Sequence, residues 1–111
     1  MSDDEKKLLT DVFNAVEGIA VHIQGIKSFN DFKAAYTVKR AVERELLIIG
    51  EAIGDLRKLN PAIAISDMRK IIALRNIIAH EYDSVQDDNI WLIIVRHLPG
   101  LKDEVDKLIK S

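Results

Sequence analysis

The chain contains no cysteine, only two prolines and five glycines, and its aromatic residues make up 5% of 111 positions. The absence of cysteine excludes disulfide bridges and thiolate metal sites, and it fits a reducing compartment. With so few chain breakers and no low-complexity stretch there is no candidate linker, so one domain over 1–111 is expected. Charge of neither sign dominates: the net value is −2, and there is no global basic field to hold long nucleic acid. If RNA is bound, the positive charge must be local, or contributed by two copies across an interface. Long apolar runs are missing too. The longest, Ile90 to Val95, is far short of the roughly 20 residues of a membrane-spanning helix. The start Met1-Ser-Asp-Asp-Glu-Lys-Lys has no apolar segment behind it, so no secretory signal is read there. A soluble cytoplasmic protein is expected.

What is present is helical periodicity. Ser2-x-x-Glu5 has the form of a capping box. Behind it Leu8, Leu9, Val12, Phe13, Val16, Ile19, Ala20, Ile23 and Ile26 recur at three and four, the stripe of one long helix. Ser28-Phe-Asn30-Asp breaks it, with Asn30 as the expected cap of a short segment through Tyr36. A second long helix starts near Thr37, is carried by Val38, Ala41, Val42, Leu46, Ile49, Ile53, Leu56 and Leu59, and stops at Asn60-Pro61. Ser66 is expected to cap a helix through Met68, Ile71, Ile72 and Ile78, and Asp83-Ser84 reads as a turn. Asp87-Asp88 opens a helix through Trp91 and Leu98, which Pro99-Gly100 separates from a final amphipathic helix with Leu101, Val105, Leu108 and Ile109. Ile90 to Val95 is β-branched enough for a strand, but the chain offers no second strand to pair with it. The expected fold is therefore all-α, an up-and-down bundle of four to five helices. Leu46 to Ile49 and Ile90 to Val95 are apolar on every side of their helices, which calls for cover on every side. A homodimer or higher oligomer, with those helices near its seam, is the expected resolution.

The chemistry-bearing stretch is Arg75-Asn-Ile-Ile-Ala-His80-Glu-Tyr82. Arginine and histidine suffice for RNA cleavage without a metal, as a fixed cation for the phosphate and a base for the 2′-hydroxyl. Spacing alone does not establish this. On an ideal helix the side chains of Arg75 and His80 point about 140° apart with roughly 7.5 Å of rise between them. Either the helix unwinds near His80, or Arg75 of one subunit works with His80 of another. Asn76 and His80, four apart, do share a face. A basic residue near a helix C-terminus is favoured by the helix dipole whatever the function, and Tyr82 could be a boundary aromatic with a wet hydroxyl.

Other residues carry less. Glu43, Glu45 and Glu51 with Arg40 and Arg44 could line a cleft, although a solvated, salt-bridged helix face is favoured. His22 and His97 have no acid or histidine at ligand spacing and read as non-functional. Trp91 could stack a base, but a core or interface position is favoured. No metal site is supported.

The block from Met68 to Val85 followed by Asp88-Asn-Ile-Trp91 resembles the HepT-like branch of the HEPN superfamily, with its R-N-x-x-x-H-x-Y signature and tryptophan helix. Ala41-Val-Glu-Arg-Glu-Leu-Leu-Ile-Ile-Gly-Glu-Ala52 is similar to the family's E-R-x-L-x-x-I-G-E-A helix, and the likeness runs over nearly the whole chain. The resemblance implies a metal-independent endoribonuclease, the toxin of a toxin–antitoxin pair. In it Arg75 holds the scissile phosphate, His80 deprotonates the 2′-hydroxyl to leave a 2′,3′-cyclic phosphate, and Asn76 orients the phosphate or the histidine. It also implies a partner, a minimal nucleotidyltransferase antitoxin that transfers AMP onto Tyr82. ATP and Mg²⁺ would then belong to that partner, and this chain would need no cofactor. A non-catalytic helical subunit that docks the nucleotidyltransferase and presents its substrate is the alternative.

Overall fold

The computed structural model describes residues 1–80 and 87–111. Its first helix, α1 (Asp3–His22), starts on the capping box read from the sequence. The Ser2 hydroxyl accepts from the Glu5 amide at 3.1 Å, and the Glu5 carboxylate faces back to Ser2, so orphan amides at the helix start are satisfied reciprocally. Three acids in the first turn suit the positive end of the helix. The helix stops earlier than its apolar stripe suggested. Gly25 takes a left-handed φ of 84°, a conformation open to glycine because it has no Cβ.

A short helix, α2 (Phe29–Ala34), follows. Its cap is Ser28 and not Asn30: the Ser28 hydroxyl accepts from the Asp31 amide at 3.1 Å, while Asn30 already lies inside the helix. Both residue types cap well, and the chain closes its first turn on the earlier one. The long helix α3 (Tyr36–Leu59) begins without a side-chain cap and ends at Asn60. Asn60 Nδ2 reaches Glu5 while Gly18 packs against Glu45, so α1 and α3 run antiparallel. The buried residues Leu9, Val12, Val16 and Ile19 of α1 meet Val42, Leu46, Ile49, Ile53 and Leu56 of α3 in the core.

Helix α4 (Met68–Ala79) returns antiparallel along the other side of α3, buries Ile71, Leu74 and Ile78, and packs on α3 alone among the described elements. Ser66 does not cap it. The Ser66 amide and hydroxyl instead donate to the Glu104 carboxylate at 3.0 and 2.9 Å, so a tertiary bond replaces the expected local one. Asp67 occupies the cap position, at a left-handed φ of 60°.

The last rod is α5 (Asp87–Leu92), a π turn over Ile93–His97, and α6 (Leu98–Lys110). Pro99 does not break it. Proline has no amide proton and its ring crowds the carbonyl four residues back. The turn before it widens, the Leu98 amide bonding to the Ile93 carbonyl, and the helix continues through the proline. Helix α6 packs on α1, and α2 sits between α3 and α5, where Phe32 meets Trp91 with ring centroids 5.3 Å apart. The result is an all-α domain of five helical rods, counting α5 through α6 as one, with no strand among the described residues. No helix among them is long and apolar enough to cross a membrane. The Asp83-Ser84 turn lies outside the described residues.

Candidate active site

Arg75 sits in the third turn of α4, directly over Gly50 of α3. A methyl group on Gly50 would overlap Cβ and Cγ of Arg75, so the glycine is what lets the arginine stem lie against the α3 backbone. The side chain is 30% exposed, and its guanidinium emerges at the rim of the interface between the two helices. Nη2 donates to Glu51 Oε1 at 2.9 Å and Nη1 to Asn76 Oδ1 at 3.1 Å, while Nε is buried without a protein partner. Five N–H groups fan out from a guanidinium, so two fixed partners leave donors for an anion. Glu51 is 63% exposed, and such a pair contributes only about 0–1 kcal/mol, so an incoming phosphate can displace it cheaply.

His80 ends α4. Its backbone, at φ −90° and ψ 2°, still bonds to the Asn76 carbonyl at 3.2 Å, and the residue is exposed. The helix therefore does not unwind before His80. Arg75 faces α3, whereas His80 leaves from the end of α4, so one chain keeps the angular separation of a regular helix. Asn76 lies between them, with its side chain committed to Arg75. Tyr82 lies outside the described residues.

Beside Arg75 opens a groove of about 710 Å³ between α3 and α4, lined by Gly50, Glu51, Gly54, Arg57, Lys58 and Asn76 among others. Glu51 is solvated and salt-bridged, as the sequence favoured, and it also lines this groove. Its partner is 24 residues away, which no helical spacing reveals. Elsewhere in that charged segment Arg40 pairs with Glu43 at 3.1 Å and lies over the Tyr36 ring, contacts that raise its pKa, Tyr36 first, whereas Glu45 leaves the solvated face and packs against Gly18 of α1 at 18% exposure. The two remaining histidines do have acids near them, supplied by other elements. His97 Nδ1 lies 3.0 Å from Asp67, and His22 Nε2 lies 3.9 Å from Glu45. Trp91 packs against Phe32.

Fold and site define an all-α protein that presents a conformationally held arginine and a helix-terminal histidine from one helix, beside a polar groove. A family profile described as "Ribonuclease HepT-like" matches residues 12–108, and the chain belongs to that family. Among curated relatives, a provisionally named RNase of Methanocaldococcus jannaschii is 30% identical over 107 residues, covering 93% of this chain and 94% of its own. A second provisionally named RNase, from Caldanaerobacter subterraneus subsp. tengcongensis, is 30% identical over 104 residues, covering 93% and 92%. No solved structure matches the chain.

Proposed function

We propose that the protein is a metal-independent endoribonuclease, the toxin of a HEPN–nucleotidyltransferase toxin–antitoxin pair, whose site is completed by a homodimer. The observation that carries this reading is the seating of Arg75: packed on Gly50, held by Glu51 and Asn76, and aimed into an open groove. A guanidinium fixed in this way binds a phosphodiester with little further loss of freedom and offsets charge that grows on its oxygens. His80 of the other protomer takes the proton from the RNA 2′-hydroxyl. The 2′-oxygen bonds to phosphorus as the bond from phosphorus to the 5′-oxygen breaks, leaving a 2′,3′-cyclic phosphate. The departing 5′-oxygen is protonated by water or by an imidazolium. An imidazole titrates near neutrality, which suits both proton transfers.

Tyr82, two residues beyond His80 in the sequence, is the acceptor for AMP from a minimal nucleotidyltransferase partner. The adduct adds bulk and negative charge two residues along the chain from the catalytic histidine and competes with RNA. ATP and Mg²⁺ serve that partner.

The test is cleavage of RNA by the purified chain in chelator, beside Arg75→Ala and His80→Ala. Each substitution is expected to lower the rate by roughly a hundredfold or more. Cleavage that survives both substitutions unchanged rejects the site. Intact-mass measurement after incubation with the partner and ATP is expected to show an AMP adduct that Tyr82→Phe abolishes. An inactive chain that still binds the nucleotidyltransferase would favour the docking-subunit alternative.

A further inference from the structure

We propose that the groove beside Arg75 is one end of a basic track, formed by Arg57, Lys58, Arg69 and Lys70, that holds the phosphates flanking the scissile linkage of a single RNA strand. The proposal rests on the ribonuclease reading and assigns where the rest of that substrate lies. On α3, Gly50 and Gly54 are four apart and share the face that floors the groove. A Cβ at Gly54 would meet nothing within 4 Å, so the backbone there is bare and leaves room for a ribose or base. One turn further on the same face come Arg57 and Lys58, which line the groove's other end. Arg57 also borders an adjoining hollow of about 430 Å³, lined by Asp67, Arg69 and Lys70.

These cations are uncommitted. Among the described residues Arg57, Lys58, Arg69 and Lys70 have no carboxylate partner; Lys6, Lys27, Lys33, Arg44, Arg96 and Lys107 lack one too, and what sets these four apart is that they line two adjoining hollows that meet at Arg57. Arg69 and Lys70 moreover stand in the first turn of α4, which carries no acid. The helix dipole disfavours positive charge there and Asp67 at the cap offsets it only in part, so a bound phosphate would be favoured by the helix end and by both side chains. Three carboxylates border the track. Asp67 is engaged by His97 and Glu51 by Arg75, leaving Asp55 facing the groove. Positive charge prevails locally in a chain whose net charge is −2. The groove lies between two helices packed side by side, and its cations follow one another from Arg75 through Arg57 to Arg69 and Lys70, the line that a single strand's phosphates would take.

Binding of a short unstructured RNA to His80→Ala protein, titrated at several salt concentrations, tests the track. The double substitution Arg57→Ala/Lys58→Ala in that background is expected to raise Kd by about tenfold or more and to flatten the log–log salt slope by about 1.4, the loss of two single-strand phosphate contacts. Lys107→Ala/Lys110→Ala on α6 removes the same formal charge away from the groove and is expected to leave Kd and slope unchanged. With His80 intact, loss of Arg57 and Lys58 is expected to lower cleavage of the short RNA more than cleavage of a dinucleoside monophosphate, which has no flanking phosphate. A track pair that binds like the α6 pair overturns the proposal, and so does an equal loss on the dinucleotide. A wild-type protein that binds RNA through these residues but never cleaves it would reject the catalytic reading and leave the track standing.

Discussion

A methyl group at Gly50 has nowhere to go, because Cβ and Cγ of Arg75 occupy its place and the Ile71 carbonyl is 3.5 Å away. Backbone and the root of a side chain cannot swing aside as a flexible side-chain end can. Helices α3 and α4 must therefore separate, or Arg75 must leave its seat. Gly50→Ala is expected to lower unfolding free energy by about 1–3 kcal/mol, the usual cost of overpacking, and to reduce RNA cleavage more than Glu51→Ala does. Gly54→Ala is the internal control. It lies one turn along the same helix with open space above it, and replacing a mid-helix glycine by alanine is expected to raise stability by about 0.5–1 kcal/mol. Urea denaturation of the two variants reads the contrast. Equal stability changes would mean that the Arg75 stem is not packed on Gly50. The residues of this site differed in how far they could be read. Arg75, Asn76 and His80 stand out as a motif within one helix. Glu51 does not, because its role depends on α3 and α4 lying side by side.

Helix α2 has six residues, too few to persist alone, and Phe32 is the one residue it buries in the core. Phe32 is fully covered, and its ring lies against Trp91, the single tryptophan of the chain. Phe32→Ala is expected to cost about 3–5 kcal/mol and to loosen α2 from α3 and α5. Trp91, already only partly buried, would gain further exposure, and its emission would shift further to the red before global unfolding. Unshifted emission would show that α2 does not shield the indole. At this scale the bundle was legible wherever apolar residues recurred at three and four along a helix, as in α1, α3 and α4. Helix ends were less so. Ser28 and Asn30 are both good caps two positions apart, and local chemistry does not choose between them. Ser66 is drawn away by Glu104, a partner 38 residues distant. Pro99 was expected to separate one helix from the next, yet a single π turn absorbs its missing donor and the rod continues. For Ser66 and Pro99 the deciding group comes from a distant segment or from a backbone adjustment that composition does not encode.

Across the whole molecule the shortest dimension is 18 Å, room for two layers of helices spaced about 10 Å apart, so most helices keep a face in water. Helix α4 is covered by α3 alone among the described elements, and Leu92 and Val95 of the last rod are 42% and 52% exposed. Those exposed residues belong to one of the two segments whose all-round apolar character first called for self-association. The regular course of α4 to Ala79 adds a chemical reason for a dimer, since it keeps Arg75 and His80 of one chain apart. A site built across two protomers makes a prediction that a site within one chain does not. Arg75→Ala and His80→Ala proteins, each inactive alone, are co-expressed with different tags and purified as mixed dimers of twice 12.5 kDa. In the two-chain site, one composite centre receives both defects and the other receives an intact arginine and an intact histidine. The mixed dimer is therefore expected to regain about half of wild-type activity. In a one-chain site every centre carries one defect, and nothing is regained. Light scattering that finds only monomer at assay concentration, with full activity, would equally exclude the shared centre.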